Sequence, residues 1–527
     1  MNSSYDVVVL GSGLSGVATA LAARKLGLKT LVLEKAALLG GGTCYSSGLV
    51  WVGCNHLARN AGLTDRPELV REYMQFMGGG QQTPENMEAF VDEAPRALKF
   101  FEDCGIAFSL VRGMADHHFQ HAPGALAQGR TVSAELICGR ELGVWSDKIV
   151  RPRFAPYSVT AEELVAMRSG NWPPGLLDER KEQDLCGLGV GLIVHFLKAA
   201  LGAGVEVCTD QNVLELAKAG DHVRGVVLAD GRHIDASAVV IATGGYESNP
   251  EMVRNFESVP GWHSYFPASL QGDGIDLGTR AGAALRVIHN QMQLFLGFPV
   301  PIENESSTEF RLAGIVELCS PHTIVVNRQG RRFADESVFQ RVAARLRDYD
   351  HERREFLNLP CFLIFDHQFT ERFSFGGRPV GDIPSWVSRA QTLRDLAVQL
   401  ELDPASLEQT TRRFNQGAVD GVDLEFGRRG DPRFADRPSL GALVKAPFFG
   451  IELKPAGSGS AGLVTDRQAR VMGHGASPVR NLYAVGNAAA KTEIGVGYQA
   501  GLTLSSSLTF GLLCAEHIAL SSEVGSE

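Results

Sequence analysis

A chain of 527 residues, 44% of them hydrophobic and 21% charged, is long enough for two to four domains with a sizeable core. The formal net charge of −10, from 50 basic and 60 acidic side chains, argues against non-specific binding to nucleic acid and gives no basic patch for a membrane surface. No apolar run is long enough to span a bilayer, the N-terminus lacks the basic region of a signal peptide, and the nine cysteines form no CxxC pair. We therefore expect a reduced, cytoplasmic protein with no transmembrane segment and no metal site.

The first fifty residues give the strongest local signal. The apolar run Val7–Leu10 predicts a buried parallel strand, an Ala/Leu-rich helix follows and ends near Gly27, and Thr30–Leu33 predicts a second strand that ends at Glu34. This order of strand, glycine turn, helix and strand is typical of a Rossmann-type dinucleotide-binding domain. The sequence therefore predicts an α/β fold, α+β overall, that begins with such a domain.

Three glycines between the first strand and the helix have the spacing G-x-G-x-x-G. Gly11 makes the tight turn, Gly13 lets the backbone approach a pyrophosphate, and Gly16 lets the helix pack on the strand. The pyrophosphate is expected at the helix N-terminus, where the dipole and the N–H groups favour an anion. The carboxylate of Glu34 can accept hydrogen bonds from ribose hydroxyls, which favours an unphosphorylated ribose, as in FAD or NAD.

The stretch GGGTCYSSG, residues 40–48, supplies small residues where the ribityl chain and ring of a flavin would pass. We count no second clean fingerprint, because GLGVG at 187–191 lacks the spacing. A single dinucleotide site favours FAD, and it implies an external electron acceptor, a quinone or another carrier. Residues 40–51 contain no histidine that could bond covalently to the flavin, so we predict non-covalent FAD.

Cys44 and Cys54 raise the alternative of a redox pair like that of the flavin-dependent disulfide reductases. Those enzymes place both sulfurs on one short turn, whereas nine residues separate these two cysteines, although a fold could still bring them together. The sequence favours two small buried thiols near the cofactor.

Later segments return to the pattern of a strand that closes on glycines. They are the run Ala238–Ala242 before Thr243-Gly244-Gly245, the GDG at 272–274, and NLYAVGNAAA at 481–490, which precedes a last helix over about Leu502–Leu520. We therefore predict a discontinuous FAD-binding domain, 1–285 (with cap-like loops at 110–185) and 445–527, interrupted by an inserted α+β substrate domain, 286–444. The predicted cofactor-binding residues are Gly11, Gly13, Gly16, Glu34, Lys35, Gly41, Gly42, Thr43, Ser47, Gly48, Val213, Ala242, Thr243, Gly244, Asp273, Gly486, Asn487, Leu502 and Leu504.

Five segments together resemble the flavoproteins of the fumarate reductase/succinate dehydrogenase superfamily, and within it the 3-oxosteroid dehydrogenases. The segments are YDVVVLGSGLSG, GGGTCYSSG, GVDLEFGR, LVTDRQARVM and NLYAVGNAAA…GYQAGLTLSSSLTFG. The resemblance covers nearly the whole chain. GVDLEFGR (421–428) and GYQAGLTLSSSLTFG (497–511) are the parts more specific to the ketosteroid-dehydrogenase branch.

The resemblance implies FAD-dependent α,β-dehydrogenation of a cyclic ketone. A base removes a proton alpha to the carbonyl, and the adjacent carbon gives a hydride to flavin N5. The family holds the developing enolate with a tyrosine hydroxyl and a backbone N–H at the start of the last helix. Tyr498 and Gly501 match these two donors, with one residue fewer between them. Preorganised donors aimed at an oxyanion near a helix N-terminus are worth several kcal/mol.

Two segments differ from the steroid dehydrogenases, which carry further tyrosines there. Residues 117–119 are His-His-Phe and residues 338–340 are Val-Phe-Gln, so the usual base is not evident. His117 or His118 could take the proton, since an imidazole pKa of about 6.5 suits a base better than a phenol pKa of about 10, or both could be surface loop residues. Phe339 is expected to line an altered substrate pocket, which makes a smaller ring, such as a substituted cyclohexanone, a candidate beside a 3-oxosteroid.

Arg341 keeps a second enzyme class open. Fumarate reductases place an arginine near this point as a proton donor and carboxylate clamp, one residue away from Arg341 in register. A guanidinium suits a substrate carboxylate, but Arg341 could equally be a solvated helix residue. An enoate reductase of the fumarate reductase type, working in the reverse direction, is therefore the alternative. A flavin-binding protein without turnover is a third reading.

Overall fold

The computed structural model describes residues 4–119, 121–153, 157–166, 172–290, 293–302, 308–428 and 439–524. In chain order the helices are α1 Leu14–Lys25, α2 His56–Asn60, α3 Pro67–Gly78, α4 Pro84–Asp103, α5 Ala161–Ala166, α6 Leu176–Glu182, α7 Leu188–Gly202, α8 Pro250–Phe256, α9 Asp273–Arg280, α10 Ile315–Cys319, α11 Phe339–Ala344, α12 His367–Thr370, α13 Leu393–Gln399, α14 Pro404–Asp420 and α15 Leu502–Val524. The strands are β1 Ser4–Leu10, β2 Thr30–Leu33, β3 Leu49–Trp51, β4 Phe108–Leu110, β5 Thr131–Ala134, β6 Ile137–Cys138, β7 Leu185–Cys186, β8 Glu206–Cys208, β9 Val213–Ala219, β10 His222–Leu228, β11 His233–Ile241, β12 Leu285–Val287, β13 Leu294–Pro301, β14 Thr308–Leu312, β15 Thr323–Asn327, β16 Tyr349–Asp350, β17 Glu355–Phe356, β18 Cys361–Asp366, β19 Ser388–Ala390, β20 Phe448–Gly457, β21 Ala461–Leu463, β22 Arg470–Met472 and β23 Pro478–Ala484.

The largest sheet is built around β1, whose neighbours β2 and β11 run parallel to it. The parallel order β8-β2-β1-β11-β23 is completed by the antiparallel hairpin β9–β10 and by β22. Val7–Leu10 is buried throughout because both faces of the sheet are covered. Val7 and Val9 pack on one face with residues of the helices α1, α7 and α15, whereas Val8 and Leu10 pack on the other face with residues of β9, β10 and α9. The predicted α/β class is confirmed.

The last helix lies against the first. A Cβ on Gly511 of α15 would be only 2.9 Å from Oγ1 of Thr19 in α1, so glycine permits the close approach of the two helices. The predicted start of α15 at Leu502 is observed, and the helix runs on to Val524. This packing fixes the N-terminus of α15 beside that of α1.

A second, antiparallel sheet has the strand order β14-β13-β20-β18-β15, with β19 on β20. Its core is aromatic, with the rings of Phe298 and Phe375 stacked at a centroid distance of 5.2 Å and Phe365 packed on Phe375 and Phe449. Strand β20 belongs to this sheet although it follows residue 444, where the sequence analysis ends the inserted domain. The division into domains stays a prediction.

The GVDLEFGR segment forms a buried ion network beneath this sheet. Arg332 donates to Glu336 Oε2 at 2.7 Å and to Asp423 Oδ2 at 2.8 Å. Arg428 donates from Nη1 to the carbonyl oxygen of Thr323 at 2.8 Å. The segment therefore joins the end of α14 to β15, and its contacts among the described residues are structural.

A second run with G-x-G-x-x-G spacing, GSGSAG at 457–462, was not counted in the sequence analysis. It links β20 to β21, and no helix follows it. A Cβ on Gly459 would lie 2.6 Å from the Tyr246 ring, and one on Gly462 would lie 2.4 Å from the backbone of Ala489. Packing explains these glycines, so the run is not a dinucleotide fingerprint.

Candidate active site

One large cavity lies where the parallel strands end. Strands β1, β2, β11 and β23 are each followed within two residues by a residue that lines it. This edge is where open α/β sheets bind ligands, because the loops there diverge. The predicted site residues in the lining are Gly11, Gly13, Glu34, Lys35, Gly41, Gly42, Thr43, Ser47, Val213, Ala242, Thr243, Gly244, Asp273, Phe339, Gly486, Asn487, Tyr498, Gly501 and Leu504.

In the glycine turn after β1, Gly11 and Gly16 are tightly packed against backbone, whereas Gly13 is not. Gly11 has φ +106°, and a Cβ there would lie 2.4 Å from the Ala242 carbonyl oxygen. A Cβ on Gly16 would lie 2.1 Å from the Gly11 carbonyl oxygen, which is what close packing of α1 on the strand requires. A Cβ on Gly13, in contrast, would meet nothing nearer than 3.7 Å. Gly13 therefore faces space that a ligand can approach.

Glu34 ends β2 and is almost fully buried. Its Oε2 accepts hydrogen bonds from the backbone N–H and the hydroxyl of Ser12, at 3.0 Å and 2.6 Å, and its Oε1 accepts from the N–H of Ala36 at 2.8 Å. A carboxylate has about four acceptor positions, so one remains for a ribose hydroxyl. Lys35 and Asp273, both predicted to bind the cofactor, form an ion pair with each other at the cavity wall.

Two buried polar atoms of the lining have no hydrogen-bond partner among the described residues. They are Oγ1 of Thr243, after β11, and Oδ1 of Asn487, after β23. Buried polar atoms are nearly always paired, so these two fit a polar ligand in the cavity. The N-terminus of α1 adds the positive end of a helix dipole: its N-cap Gly13 has no capping side chain, and the Leu14 N–H donates to Thr43 Oγ1 at 3.1 Å. The residues present therefore fit a dinucleotide with a pyrophosphate.

The other end of the cavity is aromatic. The Tyr498 ring meets those of Phe295 and Phe339 edge-on, at centroid distances of 5.4 Å and 6.4 Å, and Tyr265 meets Phe295 at 6.1 Å. Burial raises the pKa of Tyr265 well above its usual value, and the nearby Tyr498 phenol adds to the rise, so Tyr265 stays a neutral phenol. Such a wall suits an apolar ring. The sequence analysis missed Tyr265, although SYFPASLQGDG places it shortly before a glycine approach point.

Gly501 fixes the turn that carries Tyr498. Its φ is +89°, and a Cβ there would lie 2.8 Å from the Trp51 backbone nitrogen. The Trp51 N–H of β3 donates to the Gly501 carbonyl oxygen at 3.1 Å, and α15 begins at the next residue. Tyr498 and Gly501 therefore lie together at the N-terminus of a 23-residue helix.

Neither predicted histidine lines the cavity. His117 is buried behind Tyr498, with a ring-centroid distance of 5.2 Å. His118 lies among the rings of Tyr73, Phe76 and His121. The surface-loop alternative is wrong for His117, because Asp116, bonded to Trp51 and Arg130, draws this segment into the core.

Four other predicted residues lie outside the lining. Arg341 forms an ion pair with Asp335, and Leu502 is buried in the core. A Cβ on Gly48 would lie 2.2 Å from the backbone of Leu188, and Gly16 packs against Gly11, so both glycines serve helix–loop packing.

Cys44 and Cys54 form no disulfide in this structure. All nine are free thiols. Cys44 is buried, and burial raises its thiol pKa far above the usual value; burial likewise raises the pKa of Cys54 to about 11. Thiols with such pKa values stay protonated and are weak nucleophiles.

A buried cluster of ionisable side chains, which the sequence analysis missed, contacts the cavity lining at Gln293. Lys491 donates to Oε1 of the lining residue Gln293 at 2.8 Å, and burial lowers the pKa of Lys491 to about 8. Glu247 accepts from the N–H of Gly459 at 3.0 Å, and burial raises its pKa. The sequence feature that could have indicated this cluster is a single lysine within the run of mostly small residues AAAKTEIGVG.

Comparison with known proteins places the chain. The family described as FAD binding domain matches residues 6–502. The chain belongs to this family. It is an FAD-dependent oxidoreductase, which confirms the predicted enzyme class and cofactor. Among the described helices, none combines the length and the apolar character that crossing a bilayer needs.

Several relatives match over almost the whole chain. The 4-oxocyclohexanecarboxylate 2-dehydrogenase of Sinomonas cyclohexanicum is 33% identical over 98% of this chain and 93% of its own. A 3-oxosteroid 1-dehydrogenase of Mycobacterium tuberculosis is 31% identical over 98% of both chains. The structure of 3-ketosteroid delta1-dehydrogenase from Sterolibacterium denitrificans superimposes with a TM-score of 0.87 at 25% identity, covering 99% of this chain and all of that one. The predicted resemblance to the ketosteroid-dehydrogenase branch is confirmed.

Proposed function

We propose that this enzyme desaturates a cyclic ketone between the carbons alpha and beta to the carbonyl. One observation carries the proposal: Tyr498 and Gly501 lie at the N-terminus of α15, in the aromatic end of the cavity whose other end fits a dinucleotide. The relatives named above are dehydrogenases of a 4-oxocyclohexane carboxylate and of 3-oxosteroids, which are cyclic ketones.

The reaction removes a proton from the alpha carbon, which a base takes, and a hydride from the beta carbon, which needs an acceptor. The Tyr498 hydroxyl and the Gly501 N–H donate hydrogen bonds to the ketone oxygen, and the dipole of α15 stabilises the negative charge that develops there. The rings of Phe295 and Phe339, which pack edge-on against Tyr498, form an apolar wall for the substrate ring and exclude water. Bound FAD supplies the acceptor for the hydride that leaves the beta carbon. The glycine turn, Thr243 and Asn487 would hold it, without a covalent bond.

The lining bears on the substrate class. Among the described lining residues, Lys35 is the one basic side chain, and it pairs with Asp273 at the dinucleotide end. A neutral ketone therefore fits the aromatic end better than a ring carboxylate does. Arg341, the residue that suggested the enoate reductase alternative, is paired with Asp335 outside the lining, so it does not support that alternative. An external electron acceptor and a cytoplasmic location remain predictions.

The test is anaerobic mixing of the oxidised holoenzyme with 3-oxosteroids, neutral cyclohexanones and 4-oxocyclohexane carboxylates, followed by visible absorption of the flavin. We expect bleaching by a neutral ketone and a 10²- to 10³-fold slower rate for Tyr498→Phe, the range for loss of one oxyanion donor. Full turnover in Tyr498→Phe would remove the oxyanion role. Reoxidation of pre-reduced enzyme by fumarate-like acids, with no bleaching by ketones, would favour the reductase alternative.

A further inference from the structure

His117 contacts three consecutive residues of the Tyr498 turn. Its ring meets the Tyr498 ring edge-on at 5.2 Å, its backbone N–H donates to Gln499 Oε1 at 2.9 Å, and its Nε2 lies 3.4 Å from the Ala500 nitrogen. The hydroxyl of Tyr73, on α3, also donates to Gln499 Oε1, at 2.7 Å. These contacts join parts of the chain more than 380 residues apart.

The second ring nitrogen reaches the other wall of the cavity. Nδ1 of His117 lies 3.4 Å from the side-chain amide of Gln340, on α11 next to Phe339. As placed, that amide directs its NH₂ group at Nδ1 and leaves its own Oε1 buried without a partner among the described residues. Oxygen and nitrogen of an amide are interchangeable in such assignments.

Exchanging the amide oxygen and nitrogen of Gln340 gives each ring nitrogen of His117 a compatible partner. Nδ1–H of His117 then donates to Gln340 Oε1, and Nε2 accepts from the N–H of Ala500. This is one neutral tautomer with both ring nitrogens engaged inside the protein. A nitrogen that accepts from a backbone N–H and lies outside the cavity lining cannot take a substrate proton without breaking that bond.

We propose that His117 is a positioning residue: it clasps the 498–501 turn to α11 and so sets Tyr498 and Gly501 against Phe339. The inference rests on the proposed function and replaces the expectation that His117 is the base. Both contacts of the ring are long for hydrogen bonds, so the clasp depends on burial and on the ring packing against Tyr498 as well.

Two substitutions separate positioning from proton transfer. In His117→Gln the amide oxygen can take the place of Nε2 and accept from Ala500, whereas His117→Leu keeps the bulk and loses both polar contacts. We expect kcat within about threefold of the wild type for Gln and at least about tenfold lower for Leu, with KM little changed in both, because misplaced donors cost rate rather than affinity. His121→Leu, on the exposed side of the neighbouring ring cluster, is the control.

If His117 were the base, kcat would fall by about 10²-fold or more in both His117→Gln and His117→Leu. That result overturns the proposal, as does full activity of His117→Leu. Amide hydrogen exchange gives a second readout that does not depend on the reaction. We expect the Ala500 backbone amide to exchange faster in His117→Leu and at the wild-type rate in His117→Gln. An unchanged exchange rate in His117→Leu would also overturn the proposal. If no ketone bleaches the wild-type flavin, the proposed function fails, and the exchange experiment still decides the clasp.

Discussion

Gly13 and Gly16 are three residues apart, yet the structure gives them opposite consequences on substitution. A Cβ on Gly13 would make ordinary van der Waals contacts, the nearest to Thr43 Oγ1 at 3.7 Å, whereas one on Gly16 would be 2.1 Å from the Gly11 carbonyl oxygen. We expect Gly13→Ala to lower the stability of the apoprotein by no more than about 1 kcal/mol, the cost of alanine at an N-cap, while FAD affinity falls strongly. Gly16→Ala should lower apoprotein stability by several times as much. Urea unfolding of the apoproteins and FAD titration measure the two effects; equal stability of both variants would contradict the expectation.

Gly501 requires its left-handed backbone. With φ +89° and a Cβ that would lie 2.8 Å from the Trp51 nitrogen, Gly501→Ala is strained and crowded at once. We expect a loss of about 1–3 kcal/mol of stability, together with a lower kcat, because the turn that carries Tyr498 must shift. Gly475→Ala, whose Cβ would meet nothing within 4 Å, is the matched control. A melting temperature of Gly501→Ala equal to that of the control would show that the turn relaxes freely.

At the scale of elements, the end of α14 is held by charge. Burial alone would raise the pKa of Asp423, but the hydrogen bonds and charge of Arg332 lower it below the usual value. The folded chain therefore binds fewer protons at this carboxyl than the unfolded chain does. The ionised Asp423 carboxylate stabilises the fold above about pH 4, and this stabilisation is lost as the pH falls through the pKa of the folded state. Asp423→Asn should cost about 1.5–3 kcal/mol at pH 7, because it removes one of the buried carboxylates that Arg332 pairs with, and the variant should lose stability less steeply in acid than the wild type does.

Thermal unfolding of Asp423→Asn between pH 7 and pH 3 measures both effects. Asp420→Asn, exposed near the end of the same helix, is the control and should follow the wild-type curve. If Asp423→Asn unfolds at the wild-type temperature at pH 7, GVDLEFGR does not act as a structural anchor.

Elements set by local pattern were predictable, and those set by distant contacts were not. Thr30–Leu33 has the same bounds in sequence prediction and structure, because an apolar β-branched run between a glycine and an acid is a local signal. The start of α15 at Leu502 was equally local. His117 was predicted as a base or a surface residue, since nothing near it in sequence shows Gln340 or Ala500. Lys491 gave no signal for burial beyond its small-residue neighbours.

On the scale of the whole molecule, the cavity joins two layers. The glycine turn of the parallel sheet forms one wall, and Phe295 and Phe339, from the second sheet and the helix beside it, form the other. Ligand bound between the layers stabilises only the folded chain, so FAD at about 100 times its Kd should add about 2.7 kcal/mol. Calorimetry of apoenzyme and holoenzyme measures this gain, which should be smaller in Gly13→Ala. No shift on adding FAD to the apoenzyme would contradict binding in this cavity.

The number of glycine-rich dinucleotide-binding turns bears on whether a nicotinamide cofactor can bind beside FAD and exchange electrons with it. One G-x-G-x-x-G turn opens a helix, at Gly11–Gly16, whereas the run at 457–462 joins two strands and is filled by the Tyr246 ring and the Ala489 backbone. A nicotinamide cofactor therefore has no second turn of this kind to bind. We expect NADH and NADPH to leave the visible spectrum of the anaerobic holoenzyme unchanged under conditions in which the ketone substrate bleaches it. Rapid bleaching by either nucleotide would mean that hydride enters from a nicotinamide, and the enzyme would then work as a reductase with its donor bound in the same cavity as its substrate.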